Sequence, residues 1–518
     1  MKAVHVFKQW LAPMLVVIAT MIPYAASLHN SFVGWDDPML IINNPIIKAF
    51  TLSTITQAFT SFDPELYVPL TTITYQINHL IAGLNPFVYH LTNLILHIGN
   101  ALLVLWIARL LNLNRWAALF IALIFAVHPI NVEAVVWASA RKDVLSAFFL
   151  LSSIGAYLRY TNEGSKRWYA ATIILCLLGL LSKITVMMLP ALLLLIDWYL
   201  DRPISKQSIA EKIPHAILSA IFIVVALFGK SDTGTLFVWE KFLMGAKATM
   251  FYLMKFFVPH GLSVVYPYTE LVSIFTADLL LSMLGIITLT SLSIGALLKW
   301  KIKAPLFAWA WYILLLLPTF NNAAKGKNEL LDLYFASDRY AYAALVGLLI
   351  LIGLGIERGL RRWPTPTVSI TSFALIIFSI VTYNQSMTWK NTMTIFTHAA
   401  EFYPNSYIAH SNIGTELYNA GDIDGALAAY RKALEIRDDS VTWYNVGQIF
   451  LVQGDRTKAS VAYRNAITSS PLRVEAYIQL AKILIAQGAT EEARQLLLEA
   501  NENTPGNAEV EGMLDIIR

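Results

Sequence analysis

Two adjacent aspartates, Asp36 and Asp37, stand in a polar stretch just after the first apolar run of the chain. A carboxylate is an effective proton acceptor for a hydroxyl that is losing its proton in a transition state. Ionised side chains held close to hydrocarbon cost roughly 2 to 3 kcal/mol each on insertion scales, so folding alone gives little reason to keep a pair there. The local alternative is a helix cap, because Trp35-Asp36-Asp37-Pro38 offers an aspartate at the N-cap and a proline at the first helical position. A second polar cluster runs from His128 through Glu133 to Arg141-Lys142-Asp143, a third group surrounds Lys183, and a fourth is Ser337-Asp338-Arg339-Tyr340. Arginine grips phosphate oxygens through a planar fork and lysine adds a point charge, so Arg141, Lys142, Lys183 and Arg339 are candidates for holding a lipid-linked phosphate. His128, Glu133, Asp143, Asp338 and Tyr340 would support them. The bland reading makes the cations interfacial anchors paired with Glu133 or Asp143, and makes Ser337-Asp338-Arg339-Tyr340 a helix cap with a belt tyrosine.

The elements that must carry these residues are membrane helices. The chain of 518 residues is 57% hydrophobic and only 14% charged, with a mean hydropathy of +0.56, too apolar for a soluble globule. Runs long enough to span a bilayer are expected near 10–28, 88–108, 116–132, 143–159, 168–182, 184–200, 213–229, 272–298, 304–320, 338–356 and 365–383, about eleven in all. Arg109 and Arg115, Lys166 and Arg167, Arg202, Lys206 and Lys212, Lys299 to Lys303, and Arg358 to Arg362 then fall on the side of Lys2 and Lys8, which the positive-inside rule makes the cytoplasm. That parity requires a break near Ser182-Lys183, and places the amphipathic stretch 241–259 on the outer surface. It also puts the first loop (29–87), the loop around Arg141, the loop from Asn321 to Asp338 and the C-terminus outside. The first apolar run reads as a retained signal anchor.

Some chemistries lack support. Cys176 is the single cysteine, so no intramolecular disulfide forms. The net charge of +4 is spread over short clusters, which disfavours nucleic-acid binding. His79, His90 and His97 do not form a compact metal set, and most of them read as interior hydrogen-bonded residues. No zinc-protease, phosphate-loop or serine-elbow motif occurs. No metal site or cofactor is predicted from these residues, and a divalent cation is left open.

Beyond residue 383 the apolar runs end and a repeat begins. Gly414, Ala426, Tyr430 and Ala433 recur as Gly447, Ala459, Tyr463 and Ala466, and a third copy has Ala481, Ala493, Ala500 and Pro505. This is the tetratricopeptide pattern, in which small residues let paired helices pack closely. Ala399 and Pro404 fit half of an earlier unit, so the last span is expected to run almost directly into the array near Trp389 and keep it near the membrane. The expected domains are 1–383 and 384–518, the second offering a groove for an acceptor protein or peptide, or serving as a purely structural or dimerising array.

Gly34-Trp35-Asp36-Asp37 with Asn43-Asn44-Pro45, Tyr67-Val68-Pro69-Leu70, His128-Pro129 through Arg141-Lys142-Asp143, Leu181-Ser182-Lys183, Tyr266-Pro267-Tyr268 and Asp338-Arg339-Tyr340 occur in an order and spacing that resembles bacterial relatives of the transmembrane and tetratricopeptide repeat (TMTC) proteins. The resemblance covers nearly the whole chain. It implies an all-α, polytopic GT-C-like membrane domain followed by a repeat solenoid, and a glycosyltransferase that uses a sugar on dolichyl or undecaprenyl phosphate. It also implies that the acidic pair holds the catalytic base; related GT-C enzymes often carry Asp-Glu there, and Asp36 is favoured here. The expected reaction moves a single hexose such as mannose to Ser or Thr hydroxyls of extracytoplasmic proteins, with inversion, in a prokaryotic cytoplasmic membrane in preference to the endoplasmic reticulum. The alternatives are an en bloc oligosaccharide transferase or ligase with a pyrophosphate-linked donor, and a non-enzymatic membrane-anchored scaffold. A transporter fits less well, since the polar groups gather at one face and not at mid-membrane.

Overall fold

Apolar runs punctuated by Asn, Pro and Gly give an all-helical protein. The computed structural model describes residues 2–62, 66–229, 237–322 and 334–517, and among these the only β pairing is an isolated bridge between Pro267 and Tyr334. The described residues divide into one unit ending at Asn391 and a second beginning at Thr392.

In the first unit the helices are α1 (Lys2–Tyr24), α2 (Leu52–Thr60), α3 (Pro69–Ala82), α4 (Pro86–Leu110), α5 (Arg115–Val127), α6 (Val132–Val136), α7 (Arg141–Glu163) and α8 (Lys166–Leu180). They continue as α9 (Leu189–Tyr199), α10 (Lys206–Ala210), α11 (Ile213–Phe228), α12 (Val238–Phe257), α13 (Ala277–Trp300), α14 (Ala304–Leu316), α15 (Leu345–Arg362) and α16 (Pro364–Thr388). Asparagine caps begin several of them: Asn85 accepts from the Phe87 N–H at 3.1 Å and Asn114 from the Ala117 N–H at 2.9 Å. Proline follows immediately at Pro86, as helix starts favour.

A helix lies at each of the eleven expected positions, yet length and apolar content alone qualify six of the described helices to cross a membrane, or seven if α5 and the segment after its 50° bend form one span. The difference has local causes. The break at Ser182-Lys183 is present and leaves α8 and α9 short, α14 has 13 residues, and α15 carries Glu357, Arg358, Arg361 and Arg362. The protein is integral to the membrane on this evidence. The stretch expected to be amphipathic is α12, which buries Leu243, Met244, Phe251 and Tyr252 and exposes Trp239, Phe242, Met254 and Phe257. Part of the loop expected from Asn321 to Asp338, and residues 63–65 of the first loop, lie outside the described residues.

The interior is stitched by polar bonds that satisfy buried groups. Along one face of α4, Asn93 donates to the Trp137 carbonyl at 2.9 Å, His97 meets the Tyr342 hydroxyl at 2.7 Å, and Asn100 donates to the Val144 carbonyl at 2.9 Å. His90 and His97 are thus interior residues, as expected. Near the C-terminal end of α7, Tyr157 donates to Asp197 at 2.6 Å, and Arg202 bonds Glu211 at 2.6 and 2.8 Å while lying 3.2 Å from Asp197. Lys212 pairs with Asp197 in the same network. Sixteen residues of helix separate Tyr157 from Arg141, about 24 Å at 1.5 Å per residue.

The second unit consists of α17 (Thr392–Phe402), α18 (Tyr407–Asn419), α19 (Ile423–Ile436), α20 (Ser440–Val452), α21 (Arg456–Ser469), α22 (Val474–Ala486), α23 (Thr490–Asn503) and α24 (Ala508–Ile516). Asp422, Asp439 and Asp455 cap α19, α20 and α21 through backbone N–H bonds of 2.9, 2.8 and 3.0 Å. The repeated glycine has a packing cause: a Cβ on Gly414 would lie 2.6 Å from the Tyr430 ring, and one on Gly447 2.5 Å from Tyr463. Helix pairs therefore close at that step of each unit, and the array is the tetratricopeptide solenoid that the sequence period requires.

Candidate active site

The two aspartates have different fates. Asp37 is fully buried and accepts the Val33 N–H at 2.8 Å, the Ser139 N–H at 3.1 Å and the Ser139 hydroxyl. Burial pushes its carboxyl up to about 6, against the opposing pull of the Ser139 and Val33 bonds. It precedes Pro38 as a cap would, but its side chain caps nothing; it ties the first loop to the segment before α7. Asp36 is half-buried, and among the described residues its carboxylate takes no hydrogen bond. It acts through space on Lys142 and Arg339.

The four cations also separate. Arg141 is fully buried, bonded to Asn93, to Thr74 at 3.2 Å and to the Tyr89 carbonyl at 2.8 Å, with Tyr75 beneath it at 5.1 Å. Every nitrogen is committed, so the geometry gives it a structural task and not the phosphate grip expected from sequence. Lys183 pairs with Asp143 and sits 5.0 Å from the Tyr340 ring. Arg339 pairs with Glu133, which also accepts the Arg339 N–H at 3.2 Å, and its guanidinium stacks on Trp137 at 4.9 Å and Tyr340 at 5.0 Å. Lys142 is buried, yet among the described residues its ammonium has neither a hydrogen bond nor an ion pair.

Asp143, Lys183, Arg339 and Tyr340 line a cleft together with Ser146, Thr185 and Thr319. Asp143 Oδ2 and Arg339 Nε lie 4.0 Å apart at its wall, and neither has a hydrogen-bond partner among the described residues. Buried polar groups are normally paired, so this edge is suited to a charged ligand. Asp338 lies behind it, its two oxygens taking the Tyr266 hydroxyl at 2.8 Å while that hydroxyl accepts the Ser263 N–H at 2.8 Å. Asp338 therefore fixes the Arg339 segment from outside the cleft. His128 is a correction of another kind: its Nδ1 accepts the Ile130 N–H at 3.3 Å, its Nε2 meets the Phe256 carbonyl at 2.9 Å, and its ring stacks on Phe256. It sits at the bend after α5 with both ring nitrogens engaged. Among the described residues no group of three or more His, Cys, Asp or Glu side chains is placed to hold a metal ion.

Sequence reasoning missed Trp137 under Arg339, Ser139 against Asp37, and the holders of Arg141. Only the small residues between Trp137 and Arg141 hinted at a tight approach there. Asp36 and Lys142 do not line the cleft, yet Asp36 lies within electrostatic reach of both Lys142 and the cleft's Arg339. An acid and cations so placed can take a hydroxyl proton and receive an anion.

A model of the dolichyl-phosphate-mannose-protein mannosyltransferase family matches residues 68–228, and tetratricopeptide repeat models match 411–437 and 450–515. The mouse protein O-mannosyl-transferase TMTC3 is 24% identical over 95% of this chain and 60% of its own length. Human TMTC1 is 32% identical over 30% of this chain and 18% of its own. A crystal structure of ArnT from Cupriavidus metallidurans bound to undecaprenyl phosphate aligns with 90% of this chain and 80% of its own at 12% identity and a TM-score of 0.37, too low to equate residues. The chain is similar in sequence to TMTC protein O-mannosyl-transferases and spans about 60% of the length of the TMTC3 relatives.

Proposed function

We propose that this chain is a membrane glycosyltransferase that moves one mannose from a polyprenyl-phosphate donor to Ser or Thr hydroxyls of proteins outside the cytoplasm, inverting the anomeric centre. The observation that carries the reading is the division within the acidic pair: Asp37 is consumed by structure, while Asp36 keeps its carboxylate without a hydrogen bond among the described residues, in electrostatic reach of Lys142. Homology to protein O-mannosyl-transferases supports the same reaction class.

A Ser or Thr hydroxyl is not ionised beforehand, so its proton passes to Asp36 as its oxygen bonds the anomeric carbon. The bond from that carbon to the phosphate oxygen breaks, and the lipid phosphate leaves with the electron pair. Lys142, the free edge of Arg339 and Lys183 receive that charge in a site of low dielectric. One displacement gives inversion. The Lys and Arg distribution supports a cleft that faces away from the cytoplasm, and the reading takes the membrane to be a prokaryotic cytoplasmic one, with the repeats binding the acceptor protein.

The test uses the purified chain with a polyprenyl-phosphate-mannose donor and a Ser/Thr peptide. Asp36→Asn is expected to lose transfer by about 100-fold or more while donor binding persists. Full activity in both Asp36→Asn and Asp37→Asn would overturn the role of the pair. Mass spectrometry of extracytoplasmic proteins from deletion cells should show the loss of a single-hexose increment; an unchanged profile would favour the scaffold.

A further inference from the structure

Two tryptophans that do not line the charged cleft connect it to the end of α16. The Arg339 guanidinium lies 4.9 Å from the Trp137 ring, and Trp137 in turn packs against Trp389, with ring centroids 5.6 Å apart and planes 33° from parallel. Both indoles are fully buried. A buried indole N–H normally finds an acceptor that fixes its ring, but Trp137 Nε1 has none among the described residues. Packing therefore sets the plane of that ring, with Trp389 against it. Arg339 needs such a platform. Glu133 holds it through Nη1, a contact about which a planar fork can still turn, and its Nε edge has no hydrogen-bond partner among the described residues. Trp389 itself is fixed by the turn that ends α16, its N–H bonding the Ser386 carbonyl at 3.3 Å. The same turn holds the start of the first loop: Asn30 donates to the Ser386 carbonyl at 3.1 Å, and the Ser31 N–H to the Lys390 carbonyl at 2.9 Å. The end of α16 thus supports both the segment that leads to Asp36 and the platform under Arg339.

We infer that Trp389 is a positioning residue for the phosphate grip: it holds the Trp137 indole against the Arg339 guanidinium and so sets the plane in which the free Nε edge of Arg339 meets the cleft. The inference rests on the reading of that cleft as the site of the lipid phosphate. Loss of the Trp389 ring lets Trp137 turn, and the Arg339 fork with it, while every charge in the cleft is kept. The effect is one of orientation, so an ammonium at position 339, which has no plane, would not feel it.

Binding of sugar-free undecaprenyl phosphate, a leaving group of the proposed reaction, is measured by isothermal titration on the purified full chain in detergent. The cycle compares the parent protein, Trp389→Leu, Arg339→Lys and the double variant. Arg339→Lys keeps the charge beside Glu133 and discards the plane. Trp389→Leu is expected to weaken binding about tenfold in the parent and less than about twofold in Arg339→Lys, and Trp389→Phe, which keeps a ring, should lose only about threefold in the parent. Equal loss in both backgrounds would make Trp389 a packing residue only and overturn the inference, and so would unchanged binding in Trp389→Leu. A thermal melt identifies any variant that fails to fold. If Trp389→Leu does, Trp389→Phe goes through the same cycle, where a loss confined to the parent background is the expected result and an equal loss in both is the overturning one. Mannose transfer is followed in the same preparations. If the parent protein binds undecaprenyl phosphate with this coupling yet transfers no sugar, the transferase reading falls and the positioning role stands. Transfer without the coupling removes the role alone, and neither binding nor transfer in the parent removes both.

Discussion

At the scale of residues, adjacency in sequence proved a poor guide to shared duty. Asp37 is spent on Val33 and Ser139, and Asp36 is not. Because burial raises the Asp37 carboxyl to about 6, it binds a proton more tightly in the folded protein than in the unfolded chain. Its protonated form thus adds stability that is fully present below about pH 4 and is lost as pH rises through about 6. Thermal melts in detergent should show that decline between those limits, and Asp37→Asn, which cannot titrate, should flatten it. Arg141 and Lys142 divide in the same way. Arg141→Ala would strand Asn93 and the Tyr89 carbonyl and is expected to cost about 3 kcal/mol or more of stability. Lys142→Met removes a buried charge without a bonded partner and should leave the melting temperature equal or higher while transfer falls at least about tenfold. A loss of stability with unchanged transfer would reverse that assignment. The sequence showed which residues were candidates, because charges beside hydrocarbon are rare; it could not show which were already bonded, because the bonding partners lie far along the chain.

At the scale of elements, the apolar period located the helices, of which length and composition alone qualify six or seven of the described ones as spans. The break before Lys183 was legible because unbroken helix there would have inverted the charge pattern of every later loop. The bend after α5 falls at His128-Pro129, where proline interrupts the helix, but the bond that holds His128 to the Phe256 carbonyl, 128 residues away, was not legible. Close helix contacts were not legible at all. Gly155 of α7 faces the Trp106 ring of α4, where a Cβ would lie 2.1 Å away. Gly155→Val should force those helices apart at a cost of about 1–3 kcal/mol, read as a lowered melting temperature, and since α7 begins with Arg141-Lys142-Asp143 it should also lower transfer.

At the scale of the whole molecule, the repeat half was the most legible part, because its glycine, alanine and tyrosine positions return every 33 to 34 residues and each return has a packing cause. If the array serves to present acceptors, damage to it should affect one substrate and spare the other. Gly447→Leu, which collides with Tyr463, is expected to raise KM for protein acceptors several-fold with donor binding unchanged, measured by comparing a folded acceptor protein with a short peptide. Equal effects on both acceptors would count against that role. The membrane half was legible as a set of helices, and its cleft was not, since a cavity depends on the shapes of side chains brought together by packing.

The bond between Glu133 and Arg339 joins residues 206 positions apart, and the Arg339 backbone is held by the same carboxylate. A chain threaded into the membrane from its N-terminus therefore carries Glu133 without its arginine while the next 206 residues are made. That contact can close only once Arg339 has been made. On the proposed reading, a protein cut short before Arg339 lacks one wall of the charged cleft and should be inert and not merely weak.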